Sequence, residues 1–191
     1  MMCKAWLRIA PVLALVALSS CGATSQKSNQ ADGETPVDSA TVTRLQLTST
    51  AFGNGQPIPV QYTCDGTGQA PALSWGEPPP GTKSFALVVD DPDAPSGTFR
   101  HWGVYDMPAS ARSIGGGEQT GTEVSNDFGK RGYGGPCPPK GHGQHHYHFK
   151  LFALDVGRLD LDPNAKVADV EREAAKHAIA QDELVGTYER K

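Results

Sequence analysis

The 191-residue chain predicts a mainly β domain: a β-sandwich with a C-terminal helix and a long Gly/Pro-rich loop region. Three observations predict it. Short alternations of apolar and polar residues recur between Pro and Gly turns. One run, SFALVV at residues 84–89, is almost wholly apolar and β-rich, as a strand buried on both faces must be. Helical spacing shows only late, over residues 165–184.

The elements follow in chain order. RLQLT at 44–48 alternates as a strand does, and PVQYT at 59–63 repeats the pattern. CDGTGQAP at 64–71 is loop chemistry, and ALSW at 72–75 reads as a short strand. EPPPG at 77–81 is a turn that proline bars from being helical. The central strand at 84–89 is broken by DDPDAP at 90–95, and HWGVYDM at 101–107 is the next strand, ended by Pro108. Residues 109–140 are Gly-rich and irregular, a length that inside a compact domain marks a functional or disordered segment. YHFKLFAL at 147–154 resumes a strand pattern. Between 165 and 184, Ala168, Val170, Ala174, Ala175, Ala178, Ile179 and Leu184 make a stripe of mostly small apolar side chains, with charges elsewhere.

The N-terminus reads as an export signal. Lys4 and Arg8 precede an apolar run at 9–18, shorter than the roughly 20 residues a membrane span needs. Leu18-Ser19-Ser20-Cys21 resembles a bacterial lipobox. That resemblance implies removal of residues 1–20 and lipid on Cys21, with the membrane reached through that anchor. Gly22 follows the cysteine where Asp would suggest inner-membrane retention, so the expected place is the cell envelope, at the outer membrane facing the periplasm in a Gram-negative host. Residues 21–41 are polar and too poor in apolar groups to order themselves, which makes them a tether. One domain, 42–191, remains.

With Cys3 lost and Cys21 lipidated, Cys64 and Cys137 are the remaining pair, in an oxidising compartment. One intramolecular bridge is possible, and two unpaired buried thiols are the alternative. Neither cysteine belongs to a C-x-x-C pair, which argues against zinc. The 17 basic and 21 acidic residues are scattered, so neither a nucleic-acid footprint nor a polybasic membrane face is indicated.

Four of the six histidines fall in KGHGQHHYHF, residues 140–149. Side chains alternate faces along a strand. His145, Tyr147, Phe149 and Leu151 therefore share the face that ends in core residues, and His146, His148 and Lys150 share the solvated one. A polar pair at the mouth of an apolar face is how the floor of a pocket begins. His146 and His148 alone are too few ligands for zinc, and H-E-x-x-H is missing.

Several motifs in one order carry a resemblance to a known family. Asp91-Pro-Asp-Ala-Pro95, Arg100-His-Trp102, and Gly135-Pro-Cys-Pro-Pro-Lys-Gly141 leading into His145-His-Tyr147 are similar to the phosphatidylethanolamine-binding protein family, in its bacterial YbhB/YbcL, Raf-kinase-inhibitor-like branch. The likeness runs from Leu45 to Glu189 and takes in Tyr62-Thr-Cys-Asp-Gly66, Asn126-Asp-Phe-Gly129 and Glu183-Leu-Val-Gly-Thr-Tyr-Glu189. It implies an antiparallel β-sandwich with helical additions near the C-terminus and a small pocket at one end for phosphate-like anions. It places the pocket acid on Asp91 with Asp93 beside it, the two pocket histidines on His101 and His145, the tyrosine on Tyr147 and the loop wall on Pro139. This chain has His146 where the family usually has Arg, and Cys137 where many eukaryotic members have Gly. A Cys64–Cys137 bridge would make that cysteine a brace for the loop.

The expected function is an envelope-anchored binding protein for small anionic ligands, phospholipid headgroups among them, acting with or without a protein partner. It calls for no cofactor. Two histidines near one point favour an arriving anion, and Asp91 serves better as the orienter of a histidine than as an anion contact. Tyr147 and Trp102 are the candidate aromatic faces for the ammonium end of a dipolar headgroup. Two alternatives stay open: a hydrolase using the Asp/His/Tyr group, which no G-x-S-x-G or Walker A motif accompanies, and an inhibitor of an exported protein.

Overall fold

The computed structural model describes residues 45–191; the expected signal segment, Cys21, the tether and residues 42–44 lie outside them. Two sheets form the domain. The smaller has three short strands in the order β1 (Thr48–Ser49), β3 (Leu73–Ser74), β6 (Ser113–Ile114). The larger has six, in the order β2 (Gln56–Pro57), β9 (Ala178–Tyr188), β8 (His145–Leu154), β4 (Ser84–Asp91), β5 (Phe99–Pro108), β7 (Thr122–Glu123). Pairing is antiparallel except at one edge, where β2 runs parallel to β9 over two residues.

β4 is the centre of the fold. All eight of its residues are buried because both of its faces are covered. Phe85, Leu87 and Val89 point into the core between the sheets, with Leu73, Ile114, Phe149 and Leu151. Ala86 and Val88 point the other way, onto α1 (Val167–His177), with Val167, Val170 and Ala174. A continuous apolar run is what such a strand requires. The helix lies close: a Cβ built on Gly103 of β5 would sit 2.9 Å from a Val167 methyl, so only glycine fits there.

Four sequence expectations are corrected. Of the strand expected at 44–48, residues 45–47 are not extended strand, and only Thr48 falls in β1. Leu45 and Leu47 are core residues, but Gln46 between them takes φ 53°, which breaks the extended run before β1. Residues 59–63 contain a 3₁₀ turn, Val60–Tyr62, closed by Thr63 N–H donating to the Val60 carbonyl at 2.9 Å. Alternation misled here because Val60 is 54% exposed and packs no core. The helix stops at His177, and β9 takes the residues expected to continue it. Small apolar residues at 178, 180 and 184 fit a period of two as well as one of 3.6, and Ala178 is already extended. Finally, Asp90 and Asp91 belong to β4, so the acidic turn begins only at Pro92.

Candidate functional site

Antiparallel pairing brings three chemistry-bearing strand ends together. Asp91 is the last residue of β4, His101 lies near the start of β5, and His145 opens β8. Sequence separation is erased by register: Asp90 faces both Arg100 and His148, and Val89 faces both Trp102 and Phe149. Asp91, His101, His145 and Tyr147 are all buried, between 0 and 3% exposed.

His145 is the hub. Its Nδ1 meets Asp91 Oδ2 at 2.7 Å, and its Nε2 meets His142 Nδ1 at 2.8 Å. Asp91 Oδ1 accepts from the Asp93 amide at 2.9 Å, an Asx-type turn that sets the angle of the carboxylate. His101 approaches from β5 with Nδ1 at 2.8 Å from the Gly134 carbonyl, and its ring stands edge-on to Tyr147 at 5.2 Å. Phe99 and Phe128 close the other side of the His101 ring.

The Tyr147 hydroxyl is buried and, with Trp75 Nε1 and Arg100 Nε, is one of three buried side-chain polar atoms without a hydrogen-bond partner among the described residues. Burial first, and then the charge of nearby Asp91, push its pKa far above the ordinary phenol value, so it stays a neutral O–H. Buried polar atoms without partners are rare, and this one stands beside the Asp91–His145 pair.

The remaining sequence candidates have structural jobs. Asp93 is half-exposed and accepts from His146 twice, from the backbone N–H at 2.9 Å and in contact with Nδ1 at 2.7 Å. The His146 side chain holds the Asp93 carboxyl below its usual range. The pair ties the acidic turn to β8. Pro139 sits outside the corner, exposed, with its carbonyl accepting from the His142 amide at 3.2 Å. His148 pairs with Glu183 at 2.8 Å on the outer face. Trp102 does not face Tyr147; its Nε1–H donates to Glu123 at 2.9 Å, and its ring packs on Tyr133, beside a separate cavity of about 540 Å³.

The loop wall is pinned covalently. Cys64 and Cys137 form a disulfide with Cα atoms 5.4 Å apart. Cys64 N–H also donates to the Pro136 carbonyl at 3.0 Å, and a Cβ on Gly135 would lie 2.7 Å from the Tyr62 carbonyl. The Gly-Pro-Cys corner therefore lies flat on the Tyr62–Thr63 backbone. His142 is the residue that sequence reasoning passed over. Its placement between Gly141 and Gly143, three residues before His145, was the available signal.

Burial pushes the pKa of His101 below its ordinary value, and the Gly134 carbonyl offsets this only in part. The unfolded chain therefore takes up this proton first as pH falls. Stability from this residue is complete above about pH 6.5 and declines below it, down to the folded pKa. Urea unfolding at about pH 7.5 and pH 5 should show a smaller acid loss in His101→Gln than in the wild type. Equal losses would show that His101 is not the residue responsible.

A two-sheet sandwich with a buried acid–histidine–tyrosine corner at the ends of its central strands defines a class of protein. The family model for phosphatidylethanolamine-binding protein matches residues 48–189, and the chain belongs to that family. Similar relatives include a UPF0098 protein of Aquifex aeolicus, 49% identical over 76% of this chain and 89% of its own length. A Mycobacterium tuberculosis protein named "Putative lipoprotein LppC" is 40% identical over 92% of this chain and 91% of its own. The crystal structure of Escherichia coli YbcL superposes with a TM-score of 0.72 at 36% identity, covering 78% of this chain and all of that one.

Proposed function

We propose that the domain binds a small oxyanion, a phosphate monoester or a phospholipid headgroup, at the Asp91–His145–Tyr147 corner. The observation that carries this reading is the buried, unpartnered Tyr147 hydroxyl beside the Asp91–His145 pair. Asp91 orients His145 by accepting from Nδ1–H, which leaves Nε2 as the ring nitrogen for a ligand. His145 Nε2–H and the Tyr147 O–H are then two donors for ligand oxygens. His101 supports Tyr147 by packing against its ring, and Asp93 holds the turn that aims Asp91. Pro139, through its turn, shapes the loop beside the site.

A hydrolase reading gains less support. Among the described residues, the hydrogen-bond partners of the His145 ring are Asp91 and His142, not a serine, and Cys64 and Cys137 are spent in a disulfide. Similarity to a protein named as a lipoprotein supports attachment to the cell envelope through Cys21, with the outer membrane as the proposed site in a Gram-negative host. A protein partner in the envelope is compatible with this place.

Isothermal titration of wild type and His145→Ala with inorganic phosphate, O-phosphorylethanolamine and acetate tests the reading. We expect wild-type binding to both phosphates and a loss of about tenfold or more in His145→Ala, because a charge-assisted hydrogen bond disappears. Tighter binding of O-phosphorylethanolamine than of phosphate would select the headgroup as ligand. Equal affinity in the two proteins would exclude this corner.

A further inference from the structure

We propose that His142 belongs to the binding machinery: it occupies the ligand-facing nitrogen of His145 and must swing aside for an oxyanion to bind. This rests on the reading of the site given above and names the residue that sets its affinity.

Both nitrogens of His145 are already engaged. Nδ1 is locked on Asp91, a residue of the central strand, so no ligand can reach it without breaking the sheet end. Among the described residues, Nε2 is engaged only by His142. The His145 side chain is 1% exposed, whereas His142 is an exposed loop residue that lies over it. An oxyanion directed to His145 therefore competes with one side chain, and that side chain is on the outside.

The loop is built to let it go. His142 stands between Gly141 at φ 72° and Gly143 at φ 96°. A Cβ on either glycine would meet nothing within 4 Å, so it is conformation and not crowding that calls for glycine here. The described backbone ties of the turn are Gly141 N–H to the Arg190 carbonyl at 3.0 Å and His142 N–H to the Pro139 carbonyl at 3.2 Å. Both hold the main chain, and neither involves the His142 side chain. The same two ties keep the imidazole within reach of the site after it leaves.

Proton placement makes the competition direct. One proton lies between the two rings, on His145 Nε2 or on His142 Nδ1. The ionised oxygens of a phosphate can only accept, so their contact with His145 uses the arrangement in which the shared proton sits on His145 Nε2. In that state His142 Nδ1 is an acceptor held at 2.8 Å, in the place an anionic oxygen would take. Tyr147 O–H, on the same face of β8 and close to Asp91, has no partner among the described residues and adds a second donor on the anion's side of the exchange.

Removing the competitor should tighten binding. His142→Ala is expected to bind inorganic phosphate about tenfold more tightly than wild type by titration calorimetry, the effect of deleting one buried hydrogen bond from the unliganded state. In parallel, the ¹⁵N resonance of His145 Nε2 should shift in ligand-free His142→Ala, and phosphate should shift it in the wild type too. Equal or weaker phosphate affinity in His142→Ala would overturn the proposal, weaker binding meaning that His142 clamps the ligand instead. Phosphate binding that His145→Ala leaves unchanged would sink the site itself. If neither wild type nor His142→Ala binds phosphate, both ideas fall, whatever the nitrogen shift shows.

Discussion

Replacing Cys64 and Cys137 together by serine is expected to lower the unfolding free energy by roughly 4 kcal/mol. The bridge closes a long loop, its ends 73 positions apart in sequence. In the chain-entropy account, a loop of that size restricts the unfolded chain heavily. The native corner keeps other ties. Cys64 N–H still donates to Pro136, and Asp65, the next residue, is gripped by Arg190 at 2.8 Å and by the Tyr188 hydroxyl at 2.8 Å. The folded geometry should therefore persist, and the loss should lie mainly in the freed unfolded chain. Urea unfolding of the double variant, beside wild type with and without reductant, measures it. A loss below about 1 kcal/mol would mean that the bridge is not the staple of this loop. A loss well above about 5 kcal/mol would mean that the corner itself collapses.

The sheet architecture was legible in the chain where burial imposes a pattern. SFALVV declared a two-sided strand, and the parity of His145, Tyr147, Phe149 and Leu151 divided the histidines into inward and outward sets as the structure has them. Local readings failed where tertiary context decides. Gln46 reverses the backbone inside an alternating stretch, and Val60 alternates without burying. Ala178, Ala180 and Leu184 have a spacing that serves helix and strand alike, so β9 was hidden behind α1. The clustering of Asp91, His101, His145 and Tyr147 was legible through the family motifs, which named these residues together. His142 was not, because a histidine in a glycine turn looks like solvent-facing loop until the fold lays it on His145. Trp102 shows the same limit: adjacency to His101 says nothing about the face, and the bulge between Val89 and Asp90 alters the register at that very point.

Asp91→Ala is expected to destabilise the fold by about 3 kcal/mol, more than its area would suggest. The carboxylate is 4% exposed and accepts two hydrogen bonds, from His145 Nδ1–H and from the Asp93 amide. Deleting it strands a buried imidazole N–H with no acceptor and loosens the turn that carries Asp93 against His146. The penalty lies mostly in what is left unpaired, and this gives the prediction a second part. Removing His145 as well takes away the stranded donor, so Asp91→Ala/His145→Ala should be less destabilised than the sum of the two single variants, by about 1 kcal/mol or more. Asp91→Asn should fall between wild type and Asp91→Ala, because an amide oxygen can still accept from His145 while its NH₂ group faces the Asp93 amide. Urea denaturation of the four proteins at neutral pH closes the cycle. Additive losses would mean that the 2.7 Å contact contributes nothing of its own, and Asp91 would then owe its burial to packing at the end of β4 and not to the histidine it holds.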